Sequence, residues 1–140
     1  MKNIDAKKQA RIDIIETLAS AGMMQGITLS DNDFAKSNTI TFWHGVVRDE
    51  RVRQKDAYIT YHFPSSDANT RADNQVMLRD VVVAVDLFSK RSFDSEQNYM
   101  LLEKLEMAFM QGGYEVEFGD EQYETDTKLF HYPMTLFKLY

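Results

Sequence analysis

The chain has 140 residues, of which 44% are hydrophobic and 27% charged, so it has ample apolar surface for one core and is not globally disordered. It contains no cysteine, which excludes disulfides and thiolate zinc sites. Residues 71–140 hold seven Lys and Arg against thirteen Asp and Glu, which accounts for the whole net charge of −6. An acidic balance of this kind disfavours a general nucleic-acid surface, which needs a basic patch to release counterions.

The N-terminus is charged where a signal peptide would be apolar, and no apolar run approaches the roughly 20 residues of a membrane span. We therefore expect one domain over residues 1–140, with no membrane association, in the cytosol or in an intracellular assembly.

Apolar residues at spacings of three and four predict an N-terminal helix over residues 4–23. Its expected buried face includes Ile4, Ile12 and Leu18, and Lys8 interrupts that face.

β-Branched and aromatic residues predict two strands, at residues 39–46 and 57–63. The connection between them is expected to be a solvated loop and carries four basic residues: Arg48, Arg51, Arg53 and Lys55. Residues 65–75 contain no large apolar side chain and include Arg71. We predict a polar loop there, and it is the first place to look for function.

The second half is expected to form a strand at residues 77–89, a helix at 94–111, and strands at 114–118 and 128–139. The apolar face of the first strand holds Val81, Val83, Val85 and Leu87, and the helix offers a stripe of Leu101, Leu102, Leu105, Ala108 and Phe109. Asp94 with Gln97 has the spacing of a capping box, and Gly112 or Gly113 is expected to supply a left-handed C-cap. Pro133 inside the last strand predicts an edge position or a bulge.

These elements predict an α+β fold, with a mainly antiparallel or mixed sheet of about five strands and two helices packed on one face. Runs of strands without intervening helices favour that class over a parallel α/β fold.

The chain shows no motif for catalysis, cofactor binding or metal binding, and we predict none of these sites. His44, His62 and His131 are too far apart in sequence to form a recognisable zinc pattern and are expected to be surface or half-buried strand residues. There is no serine-nucleophile motif and no glycine-rich phosphate loop. A small hydrolase or nuclease whose carboxylates converge only in the fold, and a ligand-binding domain, stay open as alternatives.

Residues 115–126 carry six carboxylates and no Lys or Arg: Glu115, Glu117, Asp120, Glu121, Glu124 and Asp126. Three interpretations are open, namely a solvated acidic hairpin, an electrostatic docking surface and, last, a metal site, which lacks the EF-hand spacing.

The order of elements, with the segments ITFWHGV, AYITYHF, RDVVVAVDLFSK, SEQNYMLLEKLEMAFMQGGYEVEF and LFHYPMTLFKLY, resembles the small tail-terminator and tail-to-head joining proteins of long-tailed bacteriophages. The resemblance covers roughly residues 36–140 and is one of order and pattern. It implies a structural subunit without an active site that forms a ring, typically a hexamer. The ring would cap the tail tube, meet a head-completion or neck protein, and lie in the virion after assembly in the host cytoplasm. Another head–tail neck or minor capsid component of similar fold is the alternative.

A closed ring requires one patch to meet a different patch on the neighbour. The acidic residues 115–126 and the basic residues 48–55 are candidates for such a contact, and Arg71 is a further candidate contact residue. Reversing the charges of Arg51 and Arg53 is then expected to weaken assembly measured by sedimentation, and unchanged assembly would exclude this pairing.

Overall fold

The computed structural model describes residues 3–26, 39–45, 47, 56–72 and 75–140. Within these residues there are two helices and seven strands. The elements are α1 (Asn3–Ser20), β1 (Met24–Gln25), β2 (Thr41–His44), β3 (Ala57–Ala72), β4 (Gln75–Ser89), α2 (Glu96–Gln111), β5 (Glu115–Phe118), β6 (Gln122–Glu124) and β7 (Leu129–Leu139).

The strands form one mixed sheet in the order β1-β2-β3-β4-β7-β5, and β6 also pairs with β7. The pairs β1–β2 and β2–β3 are parallel. The other four pairs are antiparallel, namely β3–β4, β4–β7, β5–β7 and β6–β7. The predicted α+β fold is therefore confirmed. The described sheet has seven strands instead of about five because β1 and β6 are only two and three residues long, too short to produce a sequence pattern.

Both helices contribute to one buried cluster with a single face of the sheet. As predicted, Val81, Val83, Val85 and Leu87 are fully buried on that face, and Leu101, Leu102, Leu105 and Phe109 of α2 pack against it. Ala108 is partly buried at the margin of this cluster. The alternation of the strand and the stripe of the helix thus set the core, as period-two and period-3.6 patterns do.

The expected buried face of α1 is wrong in part. Ile4 and Ile12 are exposed, and the buried row contains Ala6, Ala10, Ile14 and Leu18. Alanines at the contact allow the helix backbone to approach the sheet closely, which bulkier side chains at those positions would prevent. The outer surface of α1 consequently carries isoleucines beside basic residues.

The polar loop predicted at residues 65–75 is also wrong, since β3 continues to Ala72 and β4 begins at Gln75. The two strands pair up to Ala72 and Gln75, with register shifts on the way. β7 pairs with β4 only from Asp80 onward, so in the described sheet the first five residues of β4 (75–79) pair with β3 alone and form a two-stranded arm roughly 16 Å long. Strand pairing depends on backbone N–H and C=O groups and needs no apolar side chain. The polar composition of residues 65–75 therefore led to the wrong prediction of a loop.

Pro133 lies in β7, which is an interior strand between β4 and the β5–β6 edge, so the predicted edge position is wrong. β5 pairs with residues 134–137 of β7 and β6 with residues 129–131, which leaves a gap opposite Pro133. The Gly119 N–H donates to the Pro133 carbonyl (2.9 Å) across that gap. The missing N–H of proline therefore faces a place where the outer strand is already interrupted.

The predicted capping of α2 is confirmed at its C-terminus and is wrong at its N-terminus. Ser95 is the N-cap and makes no capping hydrogen bond, so the capping box expected from Asp94 is wrong; the Ser95 hydroxyl instead donates to the Gln97 side chain (2.9 Å). At the other end Gly113 has φ of 88°, and the predicted left-handed C-cap is confirmed there.

Asn98 ties the start of α2 to the sheet. Its side-chain carbonyl accepts from the Ser89 hydroxyl (2.7 Å). Its amide nitrogen lies 3.0 Å from each of three acceptors, the Arg91 and Ser92 carbonyls and the Tyr132 hydroxyl, so one of its two N–H groups is shared. Because the side chain is fully buried, these bonds fix the β4–α2 connection.

A second network joins α1 to the last strand. The Tyr140 hydroxyl donates to Asp13 (2.5 Å) and meets the Tyr114 hydroxyl at 2.9 Å. Lys138 donates to the Gly112 carbonyl (2.9 Å) and lies 3.4 Å from Asp13. Burial and the hydrogen bond to Asp13 raise the pKa of Tyr140, and burial raises the pKa of Tyr114 to about 12.

Candidate functional site: an acidic edge and a basic groove

An acidic edge runs along the outer side of β7. It comprises β5, the turn at residues 119–121 and β6, where Glu115, Glu117, Asp120 and Glu121 are all exposed. The glycines after α2 turn the chain back into β5, and the short strands place these carboxylates on the same margin of the sheet. The structure thus gathers four of the six predicted acidic contact residues on one accessible surface, whose like charges favour a basic partner.

The other two acidic candidates differ in their surroundings. Glu124 accepts from the Thr127 hydroxyl (3.1 Å) and lies 3.6 Å from His131 Nδ1, so it is already engaged within the chain. Asp126 is exposed in the turn before β7. Glu124 is therefore a weaker contact candidate than its sequence neighbours.

The predicted basic partners are not brought to the acidic edge by any described contact. Arg48, Arg51, Arg53 and Lys55 lie outside the residues that the structure describes. Arg71 belongs to the β3–β4 arm, where its backbone pairs with Val76. The pairing of residues 48–55 with residues 115–126 stays a prediction.

A basic groove lies on the other half of the molecule and was missed by sequence reasoning. Its cavity of about 410 Å³ is lined by six residues from α1, β2 and β3: Lys7, Lys8, Arg11, His44, His62 and Phe63. It sits where β2 ends at His44 while β3 continues, and just beyond that end the Gly45 N–H donates to the Tyr61 carbonyl (2.8 Å). Basic residues at positions 7, 8 and 11 were the available sequence signal, but only the fold brings both histidines to them.

Aromatic rings lie in the groove and beneath it. The His44 ring stacks on Tyr61 with a centroid distance of 4.8 Å and an interplanar angle of 1°, and Phe63 meets His44 edge-on at 5.8 Å. Tyr61 is 1% exposed, and its hydroxyl makes no hydrogen bond within the described residues. Burial raises the pKa of Tyr61, and the nearby Arg11 guanidinium opposes that effect without adopting good hydrogen-bond geometry.

The electrostatics of the groove are those of an anion site. Burial lowers the pKa of His44, and the positive charges of Arg11 and His62 lower it further. In the described part of the chain, neither Lys7, Lys8 nor Arg11 forms an ion pair. The positive potential of the groove is therefore not neutralised by a described carboxylate.

The outer face of the sheet carries a histidine–carboxylate pair. His131 Nε2 lies 2.6 Å from Asp86 Oδ1, and Phe88 stacks on the His131 ring at 4.5 Å. Such a pair orients an imidazole for acid–base chemistry when a nucleophile adjoins it. Within the described residues, His131 contacts two carboxylates and an aromatic ring, and no hydroxyl group adjoins it as a nucleophile.

Two further cavities border α2. One of about 730 Å³ separates it from α1 and is lined in part by the exposed Met100 and Met107. The other, of about 280 Å³, lies between α2 and the acidic edge and includes Phe118 and Tyr132.

Among the described residues, no group of three or more His, Asp or Glu side chains is placed to hold a metal ion. Neither described helix is long and apolar enough to cross a membrane. Comparison with protein-family models finds no match, and comparison with curated proteins finds none either.

Proposed function

We propose that this chain is a structural subunit that assembles with copies of itself into a ring, as a tail-completion protein of a long-tailed bacteriophage. The observation that carries the proposal is the separation of charge across the sheet. The acidic edge lies beyond β7, whereas the basic groove is formed by α1, β2 and β3. One molecule therefore presents two different and complementary surfaces.

Two complementary surfaces on opposite sides of a subunit favour a heterologous contact, in which each copy uses its acidic side toward one neighbour and its basic side toward the other. Such contacts give a ring when the rotation per subunit closes, and a filament when it does not. The exposed Ile4 and Ile12 beside Lys8 add apolar surface to the basic side, and the exposed Phe118 adds it to the acidic side. Interfaces of this composition combine apolar contact with charge complementarity.

The tail assignment rests on the order and pattern of elements over roughly residues 36–140, which resembles that of tail-terminator and joining proteins. A hexameric ring that contacts the tail-tube protein and a head-completion protein, in a virion assembled in the host cytoplasm, is the form proposed. A different neck or minor capsid component is the alternative. Binding of the purified ring to tail tubes is expected for the tail-completion protein, and failure to bind them favours the alternative.

The test is the mass of the protein in solution over a concentration series, measured by sedimentation and light scattering. The expected result is a discrete oligomer that dissociates when salt is raised from about 0.15 M to about 1 M, because the screening length falls from about 8 Å to about 3 Å. Glu115→Lys with Glu117→Lys is expected to weaken assembly, and Asp56→Lys, an exposed charge reversal before β3, is the matched control. A mass equal to one chain at every concentration would contradict the proposal.

A further inference from the structure

The basic groove is a concave surface whose charge is complementary to carboxylates. Three cations of α1 and two histidines converge on one cavity of about 410 Å³, and ring stacking fixes the His44 side of that cavity. Arg11 lies near the buried Tyr61 hydroxyl, which lacks a hydrogen-bond partner among the described groups.

The chain itself contains a segment with the complementary chemistry. The turn at residues 119–121 between β5 and β6 exposes Asp120 and Glu121, and neither forms an ion pair within the described residues. The turn is short and is anchored by the Gly119–Pro133 hydrogen bond, so its carboxylates are presented on a fixed backbone. It therefore has the charge to enter the groove and little backbone freedom to lose.

The turn of one molecule cannot reach the groove of the same molecule. Four strand spacings separate β2 from β5 in the sheet, which corresponds to about 19 Å. This distance exceeds the screening length of about 8 Å at physiological salt, so the two charged regions barely interact within a chain. Within one molecule the two regions are therefore too far apart to pair.

We infer that the acidic turn of one copy, through Asp120 and Glu121, docks in the groove formed by Lys7, Lys8, Arg11, His44 and His62 of the next copy. This inference rests on the proposed self-assembly and names the contact that drives it. It assigns α1 as a partner of the acidic region, and the predicted pairing with residues 48–55 is a separate contact. The occupant is a second copy of this chain.

Two charge-reversed chains test the contact. Lys8→Glu with Arg11→Glu makes the groove acidic, and Asp120→Lys with Glu121→Lys makes the turn basic. Each variant alone is expected to lose at least tenfold in association constant, because both of its contacts then join like charges. An equimolar mixture is expected to assemble again, since every contact between alternating copies then joins opposite charges. Lys104→Glu, an exposed reversal on α2, serves as the matched control.

A peptide separates this contact from assembly as such. A peptide of residues 117–123 is titrated into the wild-type chain, and the ring protons of His44 and His62 are followed by NMR. Shifts that saturate with the acidic peptide, and that are absent with its Asn and Gln analogue and in the Lys8→Glu, Arg11→Glu chain, support the docking. Inorganic phosphate at equal concentration is the comparator.

The possible outcomes distinguish failure of the groove contact from failure of self-assembly. Assembly by the groove variant at wild-type strength, or no rescue in the mixture, overturns the contact while leaving self-assembly intact. Equal shifts from phosphate and peptide also overturn it, because the groove would then be a general anion site. Saturable peptide binding by a chain that never assembles supports the groove as a receptor for the turn and refutes the ring instead.

Discussion

Replacing Asn98 by leucine, which is similar in size and apolar, tests whether the buried amide holds α2 to the sheet. The substitution removes the acceptor of the Ser89 hydroxyl and the donor to the Arg91 carbonyl and the Tyr132 hydroxyl. The Ser92 carbonyl keeps a second donor, the Ser95 N–H at 3.0 Å, and is not left unpaired. Three groups therefore lose a hydrogen bond, two of them in a buried environment and the Arg91 carbonyl in a part-buried one.

Each such loss costs about 1 kcal/mol or more, and Tyr132 borders a cavity where water can replace part of its bond. We expect Asn98→Leu to lower the free energy of unfolding by about 3 kcal/mol, a large fraction of the roughly 5–15 kcal/mol typical of a domain. Urea denaturation followed by circular dichroism measures it, and an unchanged m-value establishes that the same transition is observed. Gln97→Ala, next to it on the exposed side of α2, is the control and is expected to cost under about 0.5 kcal/mol. A loss below about 1 kcal/mol for Asn98→Leu would refute the reasoning.

Three further predictions follow from other contacts. Tyr140→Phe removes the hydrogen bond to the Asp13 carboxylate and is expected to cost about 1.5 kcal/mol in urea denaturation; no change would show that the bond is not made in solution. Raising the pH from 10.0 to about 12 is expected to destabilise the fold. The pKa of Tyr114 is higher in the folded state than in the unfolded chain, so the unfolded tyrosine loses its proton first. Thermal melts of the wild type and of Tyr114→Phe at alkaline pH measure this effect. Assembly is expected to strengthen as the pH falls from about 8 to about 6. Carboxylates docked near His44 would raise its lowered pKa, so docking would take up a proton. Sedimentation of the His44→Gln variant should show a weaker pH dependence than that of the wild type.

The core was predictable because its signal is local and periodic. Alternation in residues 81–87 and the stripe of α2 identify the faces that meet, whatever the order of the strands. The contact face of α1 was predicted incorrectly because hydrophobicity ranks Ile4 above Ala6, whereas close packing on a sheet selects the smaller side chain. A pattern of apolar residues identifies the side chains that can be buried, whereas the geometry of the contact determines which of them are buried.

The candidate site was only half predictable. The acidic edge is contiguous in sequence and is visible as a charge run, but the basic groove joins α1 to the ends of β2 and β3. Lys8, which in sequence interrupts an apolar stripe, lines that groove instead. Convergence of this kind depends on strand order, and strand order depends on long-range pairing that no short window of sequence contains.

The bond between Tyr140 and Asp13 spans 127 positions of the chain, so it can form only after the last strand has folded. The β3–β4 hairpin is built from near neighbours and can form early, whereas the bond from α1 to Tyr140 requires β7 to be in place beside β4. This bond between α1 and the end of β7 is therefore made after the hairpin has formed. Pulsed hydrogen exchange is expected to show protection of the β3–β4 hairpin before protection of β7, and the reverse order would exclude this sequence of events.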